Sequence, residues 1–155
     1  MVCKMNTNNQ KANVLAVCTS SLTGTKKTNV MHGILVENHG LFGDAHAQNK
    51  THRQLSLLAI ESIQKMRNLG LDVNPGDFAE NITTIGIILK ELQVGTKISI
   101  GNQSVVQVTQ IGKKCYSPCK IGREVGECIM PIEGIFCKVL EGGKIRVGDG
   151  LKIIK

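Results

Sequence analysis

The sequence predicts a mainly β domain carrying one well-marked helix, an antiparallel barrel or sandwich. Three observations lead there. From residue 81 onward the chain is a series of short β-branched runs separated by Gly and Asn turns, the even spacing of antiparallel sheets. A single stretch, within 51–70, combines a helical apolar period with start and stop signals. Aromatic residues make up only 3% and Trp is absent, so the core is built from Ile, Leu, Val and Met. A chain of 155 residues suits one domain that buries about two-thirds of its unfolded surface. Residues 1–11 are read as a flexible N-terminus and 12–155 as that domain.

The elements follow in order. "ANVLAVCTS" (12–20) reads as a first strand, rich in Val and Leu. "SLTGTKKTN" (21–29) is a loop. "VMHGILVENHG" (30–40) returns to β-type residues and then turns, and "LFGDAHAQNKTHRQ" (41–54) is polar and irregular. In the helical stretch, Thr51 and Gln54 have capping-box spacing. Leu55, Leu58, Ala59, Ser62, Met66 and Leu69 share one face, Lys65 and Arg67 suit the C-terminal dipole, and Gly70 suits the residue after the helix. Pro75–Gly76 marks a turn. Strands are expected in "NITTIGIIL" (81–89), "TKISI" (96–100), "QSVVQVTQI" (103–111), "GIFCKVL" (134–140), "KIRV" (144–147) and "LKIIK" (151–155). "EGGK" (141–144) between two of them predicts a hairpin.

Composition narrows the function classes. The net charge is +7, from 19 Lys and Arg against 12 Asp and Glu, which favours an anionic partner. The charge is dispersed, and one Tyr with three Phe gives little for bases to stack on. A small phosphorylated ligand fits better than nucleic acid. No run approaches the roughly 20 apolar residues needed to cross a bilayer, and the polar start carries no export signal. The expected location is the cytoplasm, without membrane attachment, where the six cysteines stay reduced.

Three constellations can carry chemistry. Gly43, Asp44, His46, His52 and Arg53 fall just ahead of the predicted helix, where N–H groups and an arginine can bind phosphate or oxo groups; Asp44 can orient His46 or Arg53. The same cluster also reads as a solvated turn. In "NPGDFAENIT" (74–83), Glu80 and Asn81 open a strand, and a Glu at a barrel mouth can orient a ligand or a cation; an exposed turn carboxylate is the plainer reading. The third group is Cys115, Cys119, Cys128 and Cys137. No pair has the close spacing of structural zinc sites. Cys18 and Cys137 read as buried strand thiols. Cys119 follows Pro118 in a loop near Lys113, Lys114, Lys120 and Arg123. Cationic surroundings favour the thiolate, the form that ligates metals and carries sulfur.

Taken in order, "GLFGDAHA…HRQLSLLAIESI", "PGDFAENITTIGIILKELQVGTKISIG", "VTQIGKKCYSPCKI" and "CIMPIEGIFCKVLEGGKIRVGDGLKI" resemble the MOSC domain, found at the C-terminus of molybdenum cofactor sulfurases. The likeness spans 12–155 and is closest to small stand-alone bacterial members. It implies a mainly β, barrel-like fold with a few helices (α+β). It also implies association with molybdenum cofactor, a phosphorylated pterin holding the metal through a dithiolene. Family members are described as binding that cofactor, as carrying sulfur, or as parts of enzymes that reduce N-hydroxylated compounds. The family's cysteine matches Cys119, as thiolate ligand to molybdenum or persulfide carrier. Cys115 and Cys128 would support it, and Asp44, His46, Arg53, Glu80 and Asn81 would line the cofactor site.

The resemblance leaves open whether the protein turns over a substrate, as a sulfurtransferase or reductase component, or only hands cofactor to a biosynthetic or molybdoenzyme partner. Two departures stand out. The family's Phe-Gly-Glu-Asn reads Phe78-Ala79-Glu80-Asn81 here, which predicts a different local turn, since Ala tolerates positive φ poorly. No pyridoxal-phosphate desulfurase domain fits in this length, so a pyridoxal phosphate label would be a family-level inheritance with no site in these residues.

Overall fold

Leu55–Ala59 is the pivot of the fold, and it is a strand. The computed structural model describes residues 12–23, 25–112 and 133–154. They form β1 (Asn13–Thr19), β2 (Thr28–Asn29), β3 (His32–Val36), β4 (Gly40–Leu41), β5 (Leu55–Ala59), α1 (Ile60–Asn68) and β6 (Ile82–Ile85), followed by a 3-10 turn at Leu89–Glu91. Then come β7 (Lys97–Ile100), β8 (Ser104–Ile111), β9 (Ile135–Glu141), β10 (Gly143–Arg146) and β11 (Leu151–Ile154). The expectation of a mainly β chain with one good helix holds among the described residues.

The helix is shorter than predicted. All five residues of β5 are buried, because the strand lies between β6, which it pairs in parallel, and β9, which it pairs antiparallel. "LSLLA" matches a helical period and a doubly covered strand equally well, and sheet pairing decides it. Thr51 is no helix cap; its Oγ1 accepts from the Arg53 N–H at 3.2 Å. Gln54 is buried and bridges strands, accepting from Val139 N–H at 3.0 Å and donating to Asn38 Oδ1 at 3.0 Å. The helix starts after Ala59 and buries Ser62, Ile63 and Met66; Leu69, expected on that face, is exposed. Gly70 does close the helix, with φ of 96° and its N–H donating to Arg67 O at 3.0 Å.

One sheet has eight strands in the order β11-β7-β8-β9-β5-β6-β1-β2, and a second has three, β10-β3-β4. These ladders do not close into a barrel. An isolated bridge, Asn13 to Gly150, links the starts of β1 and β11. The predicted hairpin at 141–144 is absent: β9 pairs with β8 and β5, while β10 pairs with β3. Gly142 is a corner where the chain changes sheets. A Cβ there would run into Leu35 O, so the glycines serve close approach rather than a two-residue turn.

The main core lies on one face of the large sheet, where Val17, Leu55, Leu57, Ile82, Ile98, Val106 and Cys137 pack with Leu35 and Ile145 of the small sheet. On the opposite face Leu58, Ile63, Met66, Val73, Phe78 and Phe136 form a second cluster under α1. Alternation along β5 therefore sends Ser56 and Leu58 to the helix side. Among the described residues no helix is long and apolar enough to cross a membrane.

Candidate functional site

The helix-side face carries the candidate site. Ser56 of β5 stands opposite Phe136 of β9 in register, and a cavity of about 450 Å³ opens beside them. Phe78, Ala79 and Asn81 close one side, and His46, Gln48, Thr51 and Arg53, from the loop between β4 and β5, close another. The volume lies in the range of small-molecule sites, about 300–1,000 Å³.

Of the residues singled out in the sequence, His46, Arg53 and Asn81 line the cavity. Arg53 does so from a loop ahead of a strand, not from a helix N-terminus; α1 begins seven residues later. Its guanidinium lies over the Phe136 ring, 5.9 Å from the centroid, a cation–π geometry. Among the described residues no carboxylate forms an ion pair with it. His52 turns away and pairs with Thr109 Oγ1 at 3.0 Å.

Asn81 borders the cavity, but its polar atoms tie β5 and β1 to the segment that leads into β6. Oδ1 accepts from Ser56 N–H at 3.0 Å and from Ser56 Oγ at 3.2 Å. Nδ2 donates to Cys18 O at 3.2 Å. Asp44 stands behind the wall. Its Oδ1 accepts from Lys27 Nζ at 2.7 Å and Ser20 N–H at 3.1 Å, and its Oδ2 from His46 N–H at 3.1 Å. Burial alone would raise this carboxyl. The Lys27 ammonium, the Asn81 amide and the two backbone N–H groups outweigh it and hold the group below the usual carboxylate range.

Glu80 is not at a mouth. It is fully buried and does not line the cavity, and β6 opens only at Ile82, so Glu80 and Asn81 lie in the segment that leads into the strand rather than in it. Its Oε2 accepts from Thr83 Oγ1 at 2.7 Å, while Oε1 meets no donor in bonding geometry among the described residues. Burial pushes this carboxyl upward, against the weaker pull of Thr83 and nearby backbone N–H groups. It also stands near Cys18, whose thiol is raised to about 12 by burial, then by the Glu80 charge.

The turn before it is a surprise. Ala79 has φ of 64°, the left-handed region that glycine favours. The expectation that alanine would avoid positive φ here fails: Ala79 adopts a conformation that glycine favours. Pro75–Gly76 turns as predicted, with Asp77 N–H donating to Asn74 O at 3.0 Å.

Several site residues were not foreseen. Lys27 sits beside Lys26 in the loop 21–29 with nothing in the sequence to mark it, yet its side chain is wholly buried. Phe78 and Phe136 are two of only three Phe in the chain, and rarity of aromatics was the available signal. Cys115, Cys119 and Cys128 lie outside the described residues. The described chain stops at Gly112 and resumes at Glu133, where Gly112 N–H donates to Gly134 O at 2.6 Å, two residues from Phe136. Cys18 and Cys137 are buried free thiols, as their strand positions predict. Among the described residues no cluster of three or more His, Cys, Asp or Glu could hold a metal.

With this geometry in hand, comparison decides the family. The sequence model of the MOSC domain matches residues 9–152. The chain belongs to the MOSC domain family. That family is associated with molybdenum cofactor. No curated protein sequence matches the chain. Among solved structures, the MOSC chain is similar to the YUAD protein from Bacillus subtilis (TM-score 0.77, 16% identity, covering 92% of this chain and 95% of that one). It is also similar to YiiM from Geobacillus stearothermophilus (0.70, 19%, 93% and 75%) and YiiM from Escherichia coli (0.65, 20%, 92% and 70%). At such identities these neighbours speak for the MOSC fold alone.

Proposed function

We propose that this MOSC protein holds molybdenum cofactor in the Ser56–Phe136 cavity and presents Cys119 to it, as a thiolate ligand or as a persulfide carrier. The observation that carries the reading is the Arg53 guanidinium, fixed over Phe136 at the cavity wall without a carboxylate partner among the described residues. An arginine so placed suits a phosphate bidentately. The other lining groups fit the same ligand. Phe78 and Phe136 offer apolar faces to a flat pterin, while Gln48, Thr51 and His46 offer polar edges. The net charge of +7 favours a phosphorylated ligand over a neutral one.

In this reading Arg53 binds phosphate, and His46 hydrogen-bonds the ligand's polar edge. Asp44 and Asn81 are positioning residues that hold the wall in place. Glu80 acts at one further remove, by fixing the turn that carries Ala79 and Asn81. The bound cofactor supplies molybdenum with soft sulfur chemistry, and a thiolate is a matching ligand. As a sulfur carrier, the Cys119 thiolate would attack the outer sulfur of a donor persulfide, and the donor's thiolate would leave. Such a thiol stays reduced in the cytoplasm, the location this reading assigns. The sheet is read as barrel-like, on the Asn13–Gly150 bridge between strands near its two ends.

The test of the thiol is direct. Wild type and Cys119→Ser are mixed with molybdenum cofactor, and retained Mo is measured by elemental analysis. Loss in the variant is expected, and equal retention sinks the ligand role. Freshly isolated protein carrying about 32 Da of added sulfur at Cys119 identifies the carrier role.

A further inference from the structure

The second face of His46 is occupied by Lys27. Lys27 Nζ sits 2.7 Å from Asp44 Oδ1, 3.2 Å from Ser20 Oγ and 3.0 Å from His46 Nδ1. An ammonium has three N–H donors and no acceptor, so three acceptors saturate it. Asp44 Oδ1 can only accept. Ser20 Oγ gives its own hydrogen to Leu22 O at 2.8 Å, so towards Lys27 it too accepts. The third N–H is left for His46 Nδ1. Sharing the proton the other way, as an imidazolium beside a neutral amine, would take the cation away from Asp44 Oδ1, which stands 2.7 Å from Nζ. Asp44 does not compete for Nδ1: its Oδ2 is 3.8 Å from that nitrogen, beyond hydrogen-bonding reach.

From this geometry we infer that Lys27 is a positioning residue that locks His46 in the Nε2–H tautomer, making His46 a hydrogen-bond donor to an oxygen of the ligand rather than a base. The lock belongs to the protein alone. The direction of donation to a ligand rests on the cavity reading above. Nε2 is the ring nitrogen remote from Lys27, and His46 lines the cavity wall that also carries Arg53. Arg53 and a His46 Nε2–H would then both donate, a pairing suited to phosphoryl or oxo oxygens and unsuited to a cationic group. The buried ion pair behind the cavity wall thus gives His46 Nδ1 a fixed donor, and a donor at one ring nitrogen dictates which nitrogen carries hydrogen.

The experiment reads the tautomer in the free protein. Ring nitrogens of 15N-labelled wild type are assigned by long-range proton–nitrogen correlation at about pH 8, where an ordinary imidazole is neutral. A single Nε2–H tautomer for His46, with Nδ1 unprotonated, is expected. A predominant Nδ1–H tautomer, or a fast mixture, overturns the lock, whatever the cofactor measurements show. Lys27→Met, if it folds, should shift the His46 nitrogens towards the averaged positions of a tautomer mixture; unmoved nitrogens in a folded variant overturn the role of Lys27. If it does not fold, the wild-type spectrum decides. His46→Gln, which keeps a donor near the Nε2 position, should retain more added cofactor than His46→Asn. If neither variant differs from wild type in retention while the tautomer is single, the lock stands and the donation to ligand fails.

Discussion

Replacing Lys27 by Met leaves Asp44 as a buried anion with two backbone N–H groups and the Asn81 amide. Both side chains are shielded, with relative exposures of 0% and 1%, so water cannot stand in for the lost ammonium. Two unit charges about 4 Å apart at an effective dielectric of ~20 attract by about 4 kcal/mol. Truncating one partner of a buried pair costs about 3–5 kcal/mol. Because Ser20 and His46 still donate to the carboxylate, the lower end applies, about 3 kcal/mol. In a domain of this size that lowers the melting temperature by about 6–12 °C.

Urea unfolding followed by circular dichroism measures the loss, with an unchanged m-value expected. Lys27→Met/Asp44→Asn, which removes both charges, should recover at least half of it. The pH profile gives a second readout. Asp44 has a depressed folded-state pKa, so its stabilisation is present above the ordinary carboxyl value, ~3.9, and fades as pH falls through the folded one. The variant's stability should therefore fall less steeply in acid. A Lys27→Met cost below about 1 kcal/mol, the range of exposed pairs, refutes the buried-pair reasoning.

Other outcomes follow from the same contacts. Ala79→Gly relieves a left-handed alanine, worth about 1–2 kcal/mol, against a smaller gain in unfolded-chain freedom. Chemical denaturation should show no loss, or a gain of up to about 1 kcal/mol; a loss near 1 kcal/mol, usual for this change inside ordered structure, contradicts the positive φ. Glu80→Gln removes a buried carboxyl whose folded-state pKa is raised by burial. Wild-type stability is therefore lost as pH rises above the ordinary ~4.3, and urea titrations should find the variant equal or superior near neutrality and increasingly so from acid upward. Cys18 and Cys137 are buried with raised thiol pKa values, so native-state alkylation read by mass spectrometry should leave both unlabelled until denaturant is added.

How far the sequence carries is clear from particular residues. Strands with a clean β-branched pattern, such as 103–111, appear within a residue of the expected bounds, because local pattern and sheet position agree. At Leu55–Ala59 they do not: the apolar period is helical, yet β6 and β9 claim the backbone on both sides. The glycines at 142–143 look like a hairpin because the requirements they meet, close approach to Leu35 O at Gly142 and to Gln103 at Gly143, are long-range. The same limit holds in the site. His46 and Arg53 were legible as polar groups in a loop. Lys27 was not, since nothing local tells a buried lysine from a solvated one; its burial depends on Asp44, 17 residues away. Glu80 and Asn81 are adjacent in sequence just ahead of β6, yet only Asn81 borders the cavity while Glu80 is buried away from it, a difference that the local sequence does not encode.

The central claim, that the Arg53 wall holds the phosphorylated pterin, is tested most directly by pterin retention. Wild type and Arg53→Ala are loaded with molybdenum cofactor, passed through a desalting column, and assayed for bound pterin by fluorescence after release. A charge-assisted contact worth about 1.5–3 kcal/mol predicts about 10- to 100-fold weaker retention by Arg53→Ala. Equal retention by the two proteins would contradict the account.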